Sequence, residues 1–218
     1  MTATTLTISS KSYSAWSLRA WLLVKFSGLP FTEKFVAPDA PDARSEILLL
    51  KESSVVPCLH HEGIDVWDTL AIAEFLNELK PAAGLLPDDR IARAHCRSIS
   101  SEMHSGFSTM RAALPMNLKA HFPNYKIWER ARADIDRIVS IWSDCLSKYG
   151  GPYLFGESVT LADAMYAPVV TRMQTYDVEI DAVSAEYCRR ILALPQMQEW
   201  IAAAKLEPDE ELELEAEF

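Results

Sequence analysis

Apolar and polar residues alternate at the start of the chain, where Leu6 and Ile8 are interleaved with threonine and serine, and this predicts a strand over 4 to 9. The period then lengthens. Leu18, Trp21, Leu22 and Lys25 follow helical spacing over 16 to 27, and Gly28 is a natural stop. "PFTEKFV", 30 to 36, reads as a second strand, and "RSEILLLKE", 44 to 52, as a short helix. "VVPCLHHEGIDVWD" reads as two strands joined by the turn "HEGI". "TLAIAEFLNEL", 69 to 79, is an amphipathic helix that ends before Pro81. This order of strands and helices predicts a small mixed sheet with helices packed on it.

The pattern changes at "PAAGLLPDD", whose prolines and glycine mark a linker over 81 to 88. Beyond it nearly every segment has helical period. One long helix is expected from about 88 to 114, stopped by Pro115. Another is expected from 125 to 148, with Ile127, Ala131, Ile135, Ile138 and Trp142 on one face, and shorter ones at about 161 to 176, 184 to 193 and 196 to 204. The division is therefore an α/β domain over 1 to 80, the linker, an all-helical domain over 89 to 206 and an acidic tail over 207 to 218. No internal repeat is present.

Charge narrows the partners. The 218 residues carry a net charge of −10, and seven of the acids lie in the tail from Glu207 onward, so the body stands at only −3. Neither part attracts nucleic acid or an anionic membrane surface. The tail reads as a solvated end. No apolar run reaches the ~20 residues that span a bilayer, and the first residues lack a basic, apolar export signal. Cys58, Cys96, Cys145 and Cys188 are widely spaced, without a C-x-x-C or metal pattern. They are expected as reduced thiols in a cytoplasmic protein. The adjacent His60 and His61 read as a strand end or turn, and no metal is expected.

Four local features carry candidate chemistry. Val56-Pro57 interrupts a strand-like run, as an edge proline or as a cis peptide that turns a main-chain edge toward an extended ligand. Asp68 and Thr69 stand at a helix start, where they cap the helix or hold the carboxylate and ammonium of an amino-acid head group. Thr160 and Asp163 form a capping box of structural purpose. The fourth is "KSYSAWSLRAW", with Ser12, Tyr13, Ser14 and Ser17 between the first strand and the first helix. A thioredoxin-like fold would carry a dithiol there. Serine at both Ser14 and Ser17 rules that chemistry out and leaves either helix capping or a hydroxyl that favours a bound thiolate.

The segments "YSAWSLRAWLLVKFSGLPF", "VVPCLHHEGIDVWDTLAIAEFLNE" and "GESVTLADAMYAP", in that order and spacing, make the chain resemble the glutathione transferase superfamily from Leu6 to about Leu206. The resemblance implies a thioredoxin-like glutathione-binding domain, a helical domain that helps bind a second, electrophilic substrate, and a homodimer. It places the γ-glutamyl group at Asp68 and Thr69, and the glutathione cysteine against Val56 before a cis Pro57. In serine-type members the catalytic serine lies four or five residues before an arginine of the first helix. Five before Arg19 is Ser14, the zeta-like pattern, and Tyr13 is the runner-up, followed by Ser12 and Ser17. Trp16 is expected beside the same site. The residue that often meets the glycine end of glutathione is missing at Val55, where Lys51 or Lys34 is the substitute.

On the long helix, Met103, Phe107, Met110 and Leu114 recur at helical spacing, as core or as the wall of a second-substrate cleft. Gly106, unfavourable in mid-helix, points to close packing or room for a ligand. Arg111 either enters the cleft, holding an anionic substrate or a glutathione carboxylate, or turns outward toward an acid such as Asp163. The expected activity is glutathione transfer through an activated thiolate. A glutathione-dependent isomerase of the maleylacetoacetate type and a non-catalytic glutathione-binding module are the alternatives.

Overall fold

The computed structural model describes residues 4–36 and 56–208. The expected helix over 44 to 52, with Lys51 and Val55, lies outside the described residues. Strands β1 (Thr5–Ile8), β2 (Thr32–Phe35), β3 (Cys58–His61) and β4 (Ile64–Trp67) form one sheet in the order β2-β1-β3-β4. β1 runs parallel to β2 and antiparallel to β3, which is antiparallel to β4. The β3–β4 turn has positive φ at both Glu62 (51°) and Gly63 (82°), the handedness that matches the twist of a hairpin. The two histidines point to different partners: His60 pairs with Asp65 at 2.7 Å, and His61 with the Thr4 hydroxyl at 2.7 Å. β2 is exposed along its whole length and carries Glu33 and Lys34, charges that suit an uncovered edge.

α1 (Ala15–Ser27) is buried almost all round, with Leu18, Trp21, Leu22, Leu23 and Val24 fully enclosed. A helix apolar on every side needs cover on every side. α1 has it: α2 (Thr69–Leu79) on one flank, and α6 (Leu161–Thr175) and α8 (Pro195–Lys205) of the helical domain on the other. Gly28 ends α1 in the left-handed conformation, with φ 69°. α2 is followed by a single 3-10 turn, Pro81–Ala83, where the helical domain begins.

α6 is the centre of that domain, and every residue in it except Gln174 is buried. It packs against α1, α3 (Arg90–Ser105) and α7 (Ala182–Ala193). Asp163 reaches back to the Thr160 N–H (2.8 Å) and also accepts from the Leu154 N–H and the Tyr187 hydroxyl. Burial raises its carboxyl above the usual range, against these opposing hydrogen bonds.

Two expectations change here. The single helix over 88 to 114 is two, α3 and α4 (Ser108–Ala113), because Gly106 is extended and Phe107 is left-handed with φ 60°. The apolar stripe runs on through the break, since Met103, Phe107, Met110 and Leu114 are all buried, and so the periodicity does not reveal it. Arg111 on α4 itself and Asp134 from a later helix close the gap. Arg111 Nη2 donates to the carbonyls of Met103 and His104, and Asp134 of α5 (Glu129–Tyr149) accepts from the Met110 N–H at 2.9 Å. α5 also begins four residues later than expected. The preceding segment lies back on its neighbours, with Tyr125 donating to Ala113 O and packing on Tyr176 at 4.8 Å.

A side chain at 106 would put its Cβ 2.7 Å from the Glu102 carbonyl oxygen, which already accepts the Gly106 N–H. Gly106→Ala is therefore expected to destabilise the protein by about 1–3 kcal/mol, lowering the melting temperature by roughly 3–10 °C for a chain this long. A thermal melt followed by circular dichroism measures it, and an unchanged midpoint would mean that the α3 end relaxes freely.

Candidate active site

Sheet register brings three loops together. Thr7 of β1, Cys58 of β3 and Trp67 of β4 are direct neighbours across the sheet, at the ~4.8 Å spacing of adjacent strands. The segments just beyond them leave the sheet at the same end. These are the 9–14 loop that leads into α1, the Val56-Pro57 peptide and the Asp68–Thr69 start of α2. It is the C-terminal end of β1 and β2, where α/β sheets offer crevices to ligands. The Val56-Pro57 bond is cis, Pro57 is buried, and the Val56 main chain has no hydrogen-bond partner among the described residues.

The hydroxyls of the opening stretch divide by surroundings. Ser12 is fully buried and donates to Ala204 O at 3.0 Å. Ser17 is fully buried and accepts from the Ser9 N–H at 3.0 Å. Ser14 is the N-cap of α1, accepting from the Ser17 N–H (3.3 Å) and donating to Ser17 Oγ (3.0 Å). The N–H groups of Ala15 and Trp16 have no partner among the described residues, so Ser14 stands beside free donors at the positive end of a helix. A hydroxyl hydrogen rotates, and Ser14 can turn its own from Ser17 to an anion. Tyr13 is half-buried, and its hydroxyl has no partner among the described residues.

Asp68 is strained, with φ 72° and ψ 135°, a backbone state that costs on the order of 1–3 kcal/mol for a residue with a side chain. Its Oδ1 accepts from the Leu70 and Ala71 N–H groups at 2.8 and 3.3 Å, which caps α2. Its Oδ2 lies 2.5 Å from His104 Nε2 on α3. Thr69 is 1% exposed, and its buried Oγ1 has no partner among the described residues.

His104 is the residue that sequence reasoning missed. Besides binding Asp68, its ring lies 5.0 Å from that of Trp16 on the first turn of α1. One side chain from the helical domain thus touches both helix starts. The Arg19 guanidinium sits over the Trp16 ring at 4.3 Å and that of Arg111 at 5.1 Å. Arg111 neither lines an open cleft nor turns to Asp163. It is buried in the seam between the domains, on the carbonyls that end α3.

Met103 and Met110 have no exposed surface and Phe107 only 8%, so this stripe is core rather than an open cleft wall. Lys51 falls outside the described residues, and Lys34 is exposed on β2. Burial pushes the Cys96, Cys145 and Cys188 thiols up to about 12, which makes them poor nucleophiles. A cavity of about 610 Å³ between α5 and α7 shares no residue with the sheet end. Among the described residues no group of acids, histidines and cysteines is arranged to hold a metal, and no helix is long and apolar enough to cross a membrane.

The chain is similar to several known proteins. Mouse maleylacetoacetate isomerase is 28% identical over 194 residues, covering 88% of this chain and 82% of its own length. A probable maleylacetoacetate isomerase of Caenorhabditis elegans is 26% identical over 174 residues, 78% of each chain. Among solved structures, a glutathione transferase homolog from Burkholderia GL BGR1 with bound glutathione superposes with a TM-score of 0.71 at 22% identity, over 93% of this chain and 98% of its own. Residues 13–79 match the family description "Glutathione S-transferase, N-terminal domain", and residues 126–203 match "Glutathione S-transferase, C-terminal domain". With the two matches in order on a thioredoxin-like sheet domain and a helical domain, the chain belongs to the glutathione S-transferase superfamily, whose co-substrate is glutathione.

Proposed function

We propose that this chain is a glutathione-dependent enzyme that raises the thiolate fraction of the bound tripeptide and directs it at an electrophilic carbon. One observation carries the reading: two helix starts, and a main-chain edge and a threonine hydroxyl that have no partner among the described residues, lie at one end of the sheet, joined by His104. That set complements a molecule with a thiol, a peptide backbone and an α-amino acid head group. The Val56 main chain pairs with the cysteine backbone of glutathione. The Thr69 N–H and hydroxyl meet the γ-glutamyl carboxylate, and Asp68 meets the ammonium. Ser14 donates to the sulfur, with the free N–H groups of α1 adding their positive potential. The thiol proton leaves to solvent, and the sulfur lone pair forms a bond to the electrophile.

Two outcomes follow from that common step. In transfer, a leaving group departs with its electron pair, or the adduct is protonated, and the thioether is released. In isomerisation, the adduct rotates about a former double bond and the C–S bond breaks again. The names of the curated relatives favour isomerisation of a maleylacetoacetate-type acid as the second reading. The burial of Arg111 withdraws the charge that would have favoured it most directly. A cytoplasmic homodimer belongs to the same reading.

Calorimetry with reduced glutathione tests the shared part. Uptake with a dissociation constant in the millimolar range or tighter is expected, and no heat at millimolar concentration would overturn the reading. Incubation with 1-chloro-2,4-dinitrobenzene, and separately with a cis-dienoic diketo acid, then shows whether a conjugate or a geometric isomer accumulates.

A further inference from the structure

Glu207 stands first in the acidic run that sequence patterning assigns to a solvated tail, yet it is tied back across the molecule. α8 ends at Lys205, and two residues later the Glu207 carboxylate lies on the loop between β1 and α1. Its Oε2 accepts from the Ser12 N–H and the Ser10 hydroxyl, both at 2.9 Å, and its Oε1 accepts from the Lys11 N–H at 2.6 Å. Bonds from a carboxylate to N–H groups are roughly twice as strong as neutral ones.

Neighbouring contacts brace the same loop. Trp200 Nε1 donates to Lys11 O at 2.9 Å, the Ser12 hydroxyl donates to Ala204 O at 3.0 Å, and the Leu118 N–H donates to Ser12 O at 3.2 Å. Lys119 Nζ fixes Glu207 itself by donating to its carbonyl oxygen at 2.5 Å and to that of Pro208 at 3.1 Å. Lys11 Nζ pairs with Glu33 at 2.5 Å. The loop passes its position on, because the Ser14 N–H donates to Ser10 O at 3.0 Å.

We propose that Glu207 is a positioning residue for Ser14, its carboxylate holding the Ser10–Ser12 main chain so that the Ser14 hydroxyl faces the glutathione sulfur. The inference rests on the glutathione reading above and adds to it a part for the C-terminal segment. A carboxylate with three donors from one loop sets the course of that loop. The backbone leaving Ser12 has only Tyr13 to cross before the α1 cap.

The test uses the full chain with Glu207→Ala and Glu207→Gln, the second keeping one acceptor oxygen but setting an amide NH2 against N–H donors. Bound glutathione is titrated by its ultraviolet thiolate absorbance, and amide exchange is followed at Lys11 and Ser12. In Glu207→Ala the titration is expected to move up by roughly half to one pH unit, with glutathione affinity within about threefold and exchange at the two amides at least about tenfold faster. Glu207→Gln is expected to fall between this and the wild type. Glu199→Ala removes the ion pair between Glu199 of α8 and Lys25 of α1 and should leave the titration in place, which separates positioning from general loss of stability. A thiol titration in Glu207→Ala that coincides with the wild type would overturn the proposal. So would Lys11 and Ser12 amides that exchange in the wild type at the rate of an open loop. Amide protection is read without glutathione, so a protein that shows it yet takes up no tripeptide would refute the glutathione reading instead.

Discussion

Ser14→Ala is expected to lower turnover about 100-fold at saturating glutathione and to leave the KM for glutathione within about threefold. A hydrogen bond to a charged group contributes about 1.5–3 kcal/mol, and each ~1.4 kcal/mol is a factor of ten in rate. The loss falls on turnover because the bond strengthens as the sulfur ionises, while the proposed anchors of the tripeptide, Val56 and Asp68, are untouched. Ser14 also accepts the Ser17 N–H as the cap of α1, so the variant should lose on the order of 1 kcal/mol of stability as well. Thermal melting reports that part, and steady-state kinetics with a thiol titration report the catalytic part. Tyr13→Phe is the companion variant, because the Tyr13 hydroxyl, unlike that of Ser14, has no partner among the described residues. If Tyr13→Phe shows the loss and Ser14→Ala does not, the thiolate is held by the tyrosine.

The contrast between these hydroxyls was partly legible before any coordinates. Three hydroxyl residues ahead of an apolar helix, with a fourth in its first turn, mark a strand-to-helix junction, and alternation at Leu6 and Ile8 marks the strand before it. α2 spans the expected 69 to 79, since its apolar face, its Asp68 cap and Pro81 are all local signals. The Thr160–Asp163 capping box also follows from a short segment, whereas Val56-Pro57 alone leaves an edge proline and a cis peptide open, and it is the family resemblance that points to the cis bond found. What escaped depends on contacts between distant segments. The α3–α4 break is closed by Arg111 on α4 itself and by Asp134 of α5, and nothing near Gly106 announces the second partner. His104 lies 36 residues from Asp68, on a helix where a lone histidine has no pattern to mark it. Glu207 is disguised by its acidic neighbours, and only its distance to the 10–12 loop separates it from a solvated run. Local order was readable because propensity, capping and period agree within each element. The joints between the domains were not, because they are made by side chains whose neighbours are set by the fold.

The second large effect is expected at one of those joints. Asp68→Asn should raise the KM for glutathione roughly 30- to 100-fold, with turnover at saturation within about threefold. Asparagine isolates the charge. Its side-chain oxygen still accepts from the Leu70 and Ala71 N–H groups, and asparagine tolerates positive φ better than most residues. The cap of α2 therefore survives. What changes is the second oxygen, now an NH2 group set against His104 Nε2 and against the proposed ammonium. Loss of one partner from a hydrogen-bonded charge pair costs about 1.5–3 kcal/mol, partly relieved here because the site is half exposed. The head group is remote from the sulfur and makes the same contacts before and during reaction, so the cost falls on binding. His104→Ala should have the smaller effect of the two, since it leaves the Asp68 charge in place and removes only the group that steadies it. If Asp68→Asn leaves KM unchanged, the ammonium is held elsewhere. If it lowers turnover at constant KM, Asp68 and His104 serve the reacting sulfur through Trp16 rather than the γ-glutamyl end.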